Sequence, residues 1–145
     1  MAPKLPPTSR SLPIALIRAR EGVMLPIRDM LSETGITEQQ WRVLRVLVEY
    51  GPMDSGTLAE RASLLFPSLT RIALKMQKKG YLTQTRDEND RRRQLIEITP
   101  AGQKIIDDNL EQASTIVKQF KKKLGHDDHE LLLDLLARLD PSSSD

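Results

Sequence analysis

Apolar residues recur at helical spacing along the first third of the chain. They predict a first helix that begins near Ser11 and ends near Gly35. Pro13 falls in the first turn, where a missing N–H costs nothing, and Pro26 is expected to kink the helix. The proline-rich residues 1–9 ahead of it are predicted to be a flexible arm. The apolar residues of this helix are Leu16, Ile17, Met24 and Ile27.

Three further helices are predicted between residues 37 and 79. Thr37 and Gln40 form a capping box at the start of the second helix, and Gly51-Pro52 ends it. The third helix covers about Ser55–Ser63, and the fourth runs over Pro67–Lys79. Their expected inward faces are Trp41, Leu44, Leu47 and Val48, then Leu58, Ala59 and Ala62, then Leu69, Ile72, Ala73 and Met76.

A β-hairpin is predicted directly after the fourth helix. Its strands are Tyr81–Arg86 and Gln94–Thr99, and the second strand alternates apolar and polar residues. The loop between them, residues 87–93, is charged and contains no glycine. Such an order is typical of a helix-turn-helix with a wing, in which a helix fits the major groove and a basic hairpin reaches the minor groove.

Two helices rich in apolar residues are predicted to follow the hairpin. Thr99-Pro100 begins a long helix that reaches about Lys123, and the last helix covers about Asp127–Leu139. Six leucines in so short a terminal helix are expected to be buried, either against a partner chain or against the first helix. We favour a homodimer. The long helix carries a heptad seam of Ile106, Leu110, Ala113, Val117, Phe120 and Leu124.

Positive charge is concentrated in one stretch of the sequence. The 145 residues have a formal net charge of only +2, yet eight cations face three anions between Arg71 and Arg93. A solvated charged surface would explain this equally well on its own, but the flanking helix and hairpin favour binding to DNA. The cations are Arg71, Lys75, Lys78, Lys79, Arg86, Arg91, Arg92 and Arg93.

The composition excludes several kinds of chemistry. There is no cysteine, so disulfides, Fe–S clusters and thiol switches are impossible, and a cytoplasmic location is expected. No apolar run approaches the ~20 residues of a membrane span. We find no phosphate-binding loop and no nucleophile motif, and we expect neither an enzyme nor a cofactor. The segment 126–130 admits a metal-binding interpretation, against a simpler one as acids at a helix N-terminus.

The order of elements resembles the MarR family of bacterial transcription regulators, from about Ser11 to Leu139. Asp90-Arg91-Arg92 matches the family's wing motif, Asp-x-Arg, and the strand ending in residues 98–102, Ile-Thr-Pro-Ala-Gly, follows it. Further segments resemble the HpaR subgroup, which represses operons for degradation of homoprotocatechuate (3,4-dihydroxyphenylacetate). These segments are residues 15–21, 37–42, 53–54 and 67–70.

The resemblance implies a dimer in which the first, fifth and sixth helices pair between chains. It also implies binding to a palindromic operator in double-stranded DNA, relieved by a small aromatic carboxylate. Arg92 would enter the minor groove, with Asp90 holding it in place. Arg91 and Arg93 are additional to the usual wing pattern, and they leave open which arginine penetrates furthest.

The polar side of the predicted fourth helix supplies candidate DNA contacts. Arg71 could hold a guanine through two parallel hydrogen bonds, or contact phosphate or solvent instead. Lys75 and Lys78 lie further along the helix and suit phosphate, which positions a protein without specifying sequence. The candidate DNA-binding residues are Ser68, Thr70, Arg71, Lys75, Lys78, Asp90, Arg91, Arg92 and Arg93.

A second group of candidates lies on the first and second helices. Arg20 is four residues from both Leu16 and Met24, beside the apolar stripe, and a half-buried arginine needs an anion. That anion is either Glu21 or the carboxylate of a ligand. Trp41 could stack on an aromatic ring or fill the core. The candidate ligand-binding residues are Arg20, Met24, Trp41, Arg42 and Arg45.

These patterns together predict a mainly α, winged helix-turn-helix protein whose N- and C-terminal helices form a dimerisation region. A single domain covers residues 10–140, with the winged helix-turn-helix at about 37–99, dimerisation helices at about 11–35 and 100–139, and a flexible tail at 141–145. The predicted function is repression of an aromatic-acid catabolic operon, released by an acid such as a hydroxyphenylacetate. A ligand-independent regulator of the same fold and a metal-binding helical dimer are the alternatives.

Overall fold

Helices account for most of the computed structural model, which describes residues 2–90 and 92–142. The chain divides into two units, residues 1–109 and 110–145, whose boundary falls inside the fifth helix. A 3-10 turn, Thr8–Arg10, precedes the first α-helix. The elements are α1 Leu12–Leu31, α2 Glu38–Tyr50, β1 Met53–Asp54, α3 Ser55–Arg61, α4 Phe66–Lys78, β2 Leu82–Arg86, β3 Gln94–Ile98, α5 Pro100–Leu124 and α6 His126–Leu139.

The three strands form one antiparallel sheet in the order β1-β3-β2. In the hairpin, Leu82 pairs with Ile98 and Arg86 with Gln94. Strand β1 is an addition to the sequence prediction: Met53 pairs with Ile96 on the other edge of β3. A strand of two residues has no periodicity to detect, because its pairing partner lies about forty residues away in the chain.

Helix boundaries follow local capping groups. The predicted capping box is confirmed: the Gln40 backbone N–H donates to Thr37 Oγ1, and the Thr37 N–H donates to the Gln40 side chain, each at 3.1 Å. At the end of α4, Gly80 takes a φ of 83°, which few other residues tolerate, and its N–H donates to the Gln77 carbonyl. Helix α1 ends at Leu31, before the predicted Gly35, because the Thr34 hydroxyl binds the Leu31 carbonyl oxygen and turns the chain.

The core of the first unit lies between α2, α3, α4 and the sheet. One correction concerns α2: Val48 is exposed, whereas Val43 and Val46 are buried, so the buried face is wider and centred differently from the prediction. Helix α2 is covered by α3, α4 and β3, and a helix packed on several sides buries more than one narrow stripe. The fully buried side chains include Val43, Leu44, Leu47, Leu58, Leu69, Met76, Leu82 and Ile96.

Most apolar residues of α5 and α6 are exposed in the single chain. Of the predicted heptad seam, Ile106 is buried, but Leu110, Val117 and Leu124 are exposed. Ile116, which is outside that seam, is buried instead. No residue of α6 is buried. Within the described residues, no helix is both long and apolar enough to cross a bilayer.

The first turn of α5 approaches the chain after α4 very closely. A Cβ atom at Gly102 would lie 2.2 Å from the carbonyl oxygen of Tyr81 and 2.8 Å from Cγ1 of Ile98. The Thr99 hydroxyl holds this junction, because it donates to the Gly80 carbonyl at 2.6 Å and accepts from the Gly102 N–H at 3.2 Å. Only a residue without a side chain therefore fits at position 102.

We predict that Gly102→Ala destabilises the fold, because its methyl group must displace backbone rather than a flexible side chain. We expect the free energy of unfolding to fall by about 1–3 kcal/mol, measured by urea denaturation. Gly22→Ala is the matched control, since Gly22 is helical and has no atom within 4 Å of a built Cβ. That control should be neutral or stabilising. Equal behaviour of the two variants would contradict the close-approach argument.

Candidate nucleic-acid interface

Helix α4 presents one face to the core and another to solvent. Leu69, Ile72, Ala73 and Met76 are buried on the inner face. Arg71, Lys75 and Lys78 are exposed on the outer side. Within residues 2–90 and 92–142, none of these three cations forms an ion pair. Their charges are therefore available to an external polyanion.

The two hydroxyl candidates on α4 differ in their surroundings. Ser68 is half-buried, whereas Thr70 is exposed. The Thr70 hydroxyl donates to the Phe66 carbonyl at 3.1 Å, one turn earlier in the helix. Its oxygen lone pairs stay free, so Thr70 can accept a hydrogen bond from a base but has already used its own proton.

Acidic side chains build the wing loop, which contains no glycine. The Asp90 carboxylate accepts from the backbone N–H of Arg92 at 3.1 Å, and the Asp87 carboxylate accepts from the N–H of Asn89 at 2.9 Å. The Asp87 N–H also donates to the Arg93 carbonyl at 3.0 Å. These bonds fix the backbone that carries Arg92. Arg91, a predicted DNA contact, lies outside the described residues.

Asp54, which is not among the predicted site residues, connects the wing to the helix-turn-helix. Its Oδ1 atom caps α3 by accepting from the Thr57 N–H at 2.9 Å. Its Oδ2 atom accepts from the Arg93 guanidinium at 2.6 Å and from the Thr57 hydroxyl at 3.0 Å. An aspartate three residues before a threonine is a recognisable helix start, but its partner in the wing could not be inferred locally.

The hydrogen bonds at Asp54 change its acidity. The Thr57 backbone N–H contributes most, followed by the Arg93 guanidinium, and together with the Thr57 hydroxyl they lower the pKa of Asp54 from 3.8 to about 2 despite its partial burial. Arg93 is the reciprocal partner, and its pKa is raised by the same bond. Arg93, a predicted DNA contact, therefore already donates one of its hydrogen bonds within the protein.

A cleft of about 370 Å³ separates the start of α4 from the wing. Of the predicted DNA contacts, it brings together Thr70, Arg92 and Arg93, whereas Arg71, Lys75 and Lys78 lie outside its lining. The other polar side chains of the lining are not among the contacts that the sequence predicted. The lining consists of Asp54, Ser55, Gly56, Phe66, Thr70, Gln84, Arg92, Arg93 and Gln94.

The candidate ligand residues of α1 are Arg20 and Met24, and Met24 is half-buried. Arg20 is exposed rather than half-buried, because this part of α1 is not covered within the protomer. Glu21, the expected protein partner of Arg20, instead accepts from Arg28 at 2.5 Å. That bond, with the positive charge of Arg28, lowers the pKa of Glu21. The charge of Arg20 also lowers the pKa of Glu21, but to a smaller extent. Arg20 forms no ion pair among the described residues, so its guanidinium can bind an external anion.

The candidates on α2 take three different positions. Trp41 is buried, with 7% of its surface exposed, and so fills core in the protomer, whereas Arg45 is exposed. Arg42 has protein partners instead of a free guanidinium: Nη1 donates to the Ala62 carbonyl at 2.8 Å, and Nη2 donates to Glu38 at 3.1 Å. Its Nε atom lies 3.1 Å from the other Glu38 oxygen, an ion-pair distance without a well-aligned hydrogen bond. Arg42 thus ties α2 to the turn before α4.

The acidic segment at the start of α6 has no metal-binding geometry. In the part of the chain that the structure describes, no three His, Asp or Glu side chains are grouped as metal ligands. His129 Nδ1 instead lies 3.3 Å from its neighbour Glu130. Asp127 and Asp128 stand in the first turn, where negative charge interacts favourably with the helix dipole.

These elements define a winged helix-turn-helix protein: α3 and α4 form the helix-turn-helix, and the β2–β3 hairpin is the wing. Residues 36–93 match the model of the MarR family. The chain is also similar over most of its length to the HTH-type transcriptional regulator FarR of Neisseria gonorrhoeae, with 38% identity over 129 residues that cover 89% of this chain and 88% of the relative. The chain belongs to the MarR family of transcriptional regulators, as its wing motif and element order predicted.

Two further relatives support the subgroup resemblance. The homoprotocatechuate degradative operon repressor of Escherichia coli is 36% identical over 126 residues, which cover 87% of this chain and 85% of that protein. The chain is also similar to NadR in its crystal structure with 4-hydroxyphenylacetate. The two sequences are 36% identical, and the structures superpose with a TM-score of 0.80 over 96% of this chain and 97% of that chain.

We predict that Asp54→Asn lowers stability at pH 7 and flattens its dependence on acid. The charged carboxylate stabilises the fold above about pH 4, and this contribution is lost as the pH falls towards 2, because the pKa is lower in the folded than in the unfolded chain. Asparagine can still cap α3, but it is neutral and so forms no ion pair with Arg93. Thermal unfolding followed between pH 7 and pH 2 measures the difference.

Asp108→Asn is the matched control for this prediction. Asp108 also binds a cation, Lys104, at 2.7 Å, but both side chains are mostly exposed and the pair is screened by water. Its profile should follow that of the unmodified protein. If the stability of Asp54→Asn also depended on pH as that of the unmodified protein does, the Asp54–Arg93 pair would add nothing to stability.

Proposed function

We propose that the chain is a homodimeric repressor of an aromatic-acid catabolic operon, which binds a palindromic operator and is released by a small aromatic carboxylate. One observation carries the DNA-binding part of this proposal: the start of α4, with Phe66 and Thr70, lines one cleft together with Arg92 and Arg93 of the wing. Helix α4 continues beyond the cleft with its exposed cations Arg71, Lys75 and Lys78. A helix suits the major groove and a hairpin suits the adjacent minor groove. The DNA strand between the two grooves then has to pass through the cleft.

The chemistry of the cleft suits this strand. Arg92 supplies charge, and the side chains of Ser55, Gln84 and Gln94 supply neutral hydrogen-bond donors to phosphate oxygens. Such contacts position the protein, whereas side chains in the major groove select sequence. We therefore assign base contact to Arg71 on the outer side of α4, and phosphate contact to Lys75, Lys78 and the cleft.

Exposed leucines support the proposed dimer. Leu131, Leu132, Leu133 and Leu135 are all exposed on α6, and α1 also leaves apolar side chains uncovered. Contiguous apolar surface of this kind is unusual on a monomer and marks an interface. A two-fold dimer would set its two recognition helices about one DNA turn, roughly 34 Å, apart, which matches a palindrome.

The proposed effector follows from the relatives and from the free arginines. One relative is named for homoprotocatechuate degradation, and another was solved with 4-hydroxyphenylacetate. Arg20 and Arg45 are exposed and could each hold a carboxylate through two parallel bonds, with the half-buried Met24 offering apolar surface to a ring. Trp41 is buried, so only its exposed edge could contact that ring. Arg42 is better explained as a link to the α3–α4 turn. A ligand that binds better to a dimer shape unsuited to the operator shifts the population away from DNA.

We predict binding of one dimer to a duplex that the protein itself enriches from a random pool. Each neutralised phosphate adds about −0.9 to the slope of log affinity against log salt, so several contacts give a steep slope. Arg71→Ala should relax preference at particular base pairs by about 1–3 kcal/mol each. Arg92→Ala should weaken binding at every sequence, most at sites with A·T-rich flanks. Fluorescence anisotropy with labelled duplexes measures both effects.

Lys118→Ala is the control for loss of one positive charge, because Lys118 is exposed on α5, outside the helix-turn-helix and the wing. It should leave both affinity and preference nearly unchanged. A salt slope near that of one or two contacts would argue against two helices and two wings on DNA. A uniform loss for both arginine variants would refute the division between base and phosphate contacts.

We predict that 4-hydroxyphenylacetate and 3,4-dihydroxyphenylacetate release the protein from the enriched duplex, whereas acetate does not. Arg20→Ala should keep DNA binding but lose the response, because Arg20 lies on α1 and not on α4 or the wing. Arg18→Ala, two residues away on the same helix, is the matched control and should respond normally. Titration of the protein–DNA complex with each acid measures release.

If neither aromatic acid shifts binding at millimolar concentration, the effector assignment fails and a ligand-independent regulator of the same fold is favoured. If Arg20→Ala abolishes DNA binding or folding, Arg20 is structural. If Arg45→Ala loses the response while Arg20→Ala retains it, the carboxylate is held by α2 and not by α1.

A further inference from the structure

An apolar residue stands within the basic outer face of the recognition helix. Leu74 has 50% of its surface exposed, although it lies in the middle of α4. At about 100° per residue, it points almost directly away from the buried Leu69 and Met76. It follows Arg71 by three residues and precedes Lys78 by four, so these three side chains are neighbours on one surface.

Solubility or folding of the protomer does not explain a leucine at this position. Its side chain does not belong to the core, and a charged or polar residue would be better solvated between Arg71 and Lys78. The cations on both sides favour a polyanion as the molecule that covers it. Within the major groove of DNA, the apolar group that a side chain can meet at a base edge is the 5-methyl group of thymine.

We propose that Leu74 contacts the 5-methyl group of a thymine in each half-site and so helps to select the operator sequence. The proposal rests on the DNA-binding function proposed above and adds a base preference to it. Arg71 and Leu74 then read neighbouring base pairs, because three residues advance about 4.5 Å along a helix, which is slightly more than one base-pair step. Lys75 and Lys78 would contact the phosphates beside them.

Two other exposed apolar residues near α4 are placed less well for this role. Phe66 lines the cleft together with Thr70 and Gln84, where the phosphate strand would pass. Leu65 is 78% exposed, but it is the residue before the first turn of α4, with extended backbone, and so lies off the outer face of the helix. Both residues therefore serve as controls for exposed apolar area.

The test replaces each thymine of the enriched duplex, one position at a time, by uracil, which removes only the methyl group. With the unmodified protein, we expect one thymine per half-site to be sensitive, at about fourfold loss of affinity for each substituted half-site, the value of one buried methyl-sized group. With Leu74→Ala, uracil at that position should cost nothing further. The salt slope should be the same for both proteins, because no charge changes.

Leu65→Ala and Phe66→Ala should keep the full uracil penalty at the sensitive thymine. Thermal unfolding should show that Leu74→Ala is folded, as expected for an exposed side chain; if it is not, Leu74→Gln is used in its place. The inference is overturned if no thymine is sensitive with the unmodified protein, or if the penalty persists in the Leu74 variant. It is also overturned if Phe66→Ala or Leu65→Ala removes the penalty. Failure to bind any duplex would reject the proposed function itself.

Discussion

The interaction that joins the wing to the helix-turn-helix through a side chain is the ion pair between Asp54 and Arg93. One oxygen begins helix α3 through the Thr57 N–H, and the other holds the wing through Arg93. The start of α3, which precedes α4 in the helix-turn-helix, and the wing are therefore held by one side chain. The pairing of β1 with β3 already holds the base of the hairpin, and the Asp54–Arg93 pair adds a bond close to the wing loop. A loop ordered in this way loses less entropy when it contacts another molecule.

Arg42 has a corresponding role on the other side of the helix-turn-helix. It joins Glu38, in the first turn of α2, to the carbonyls of Ala62 and Ser63 in the turn before α4. Ser63 takes a φ of 54°, which is uncommon for a residue other than glycine, so this turn depends on bonds that hold it. A change in the position of α2 would thus reach α4 through a charged contact and not only through apolar packing.

The protomer leaves two kinds of surface without a partner. Arg71, Lys75 and Lys78 of α4 are exposed cations that could bind a polyanion, and the exposed leucines of α6 could bind an apolar surface. These requirements are independent, because one is electrostatic and weakens with salt, whereas the other is a matter of apolar area. The proposed dimer on DNA would cover both surfaces. Leu74 is an exception to this separation, because it is an apolar residue within the charged surface.

Local patterns in the sequence determined the helices, the hairpin and the family, because periodicity, the Thr37 cap and the Asp-x-Arg wing motif act over a few residues. Only the tertiary structure decided the partners of Asp54 and Arg42, the pairing of β1, and which side chains of α2 are buried. These contacts join residues about 20 to 45 positions apart in the chain. Such pairings depend on how the elements pack, and that packing cannot be predicted from any short stretch of sequence.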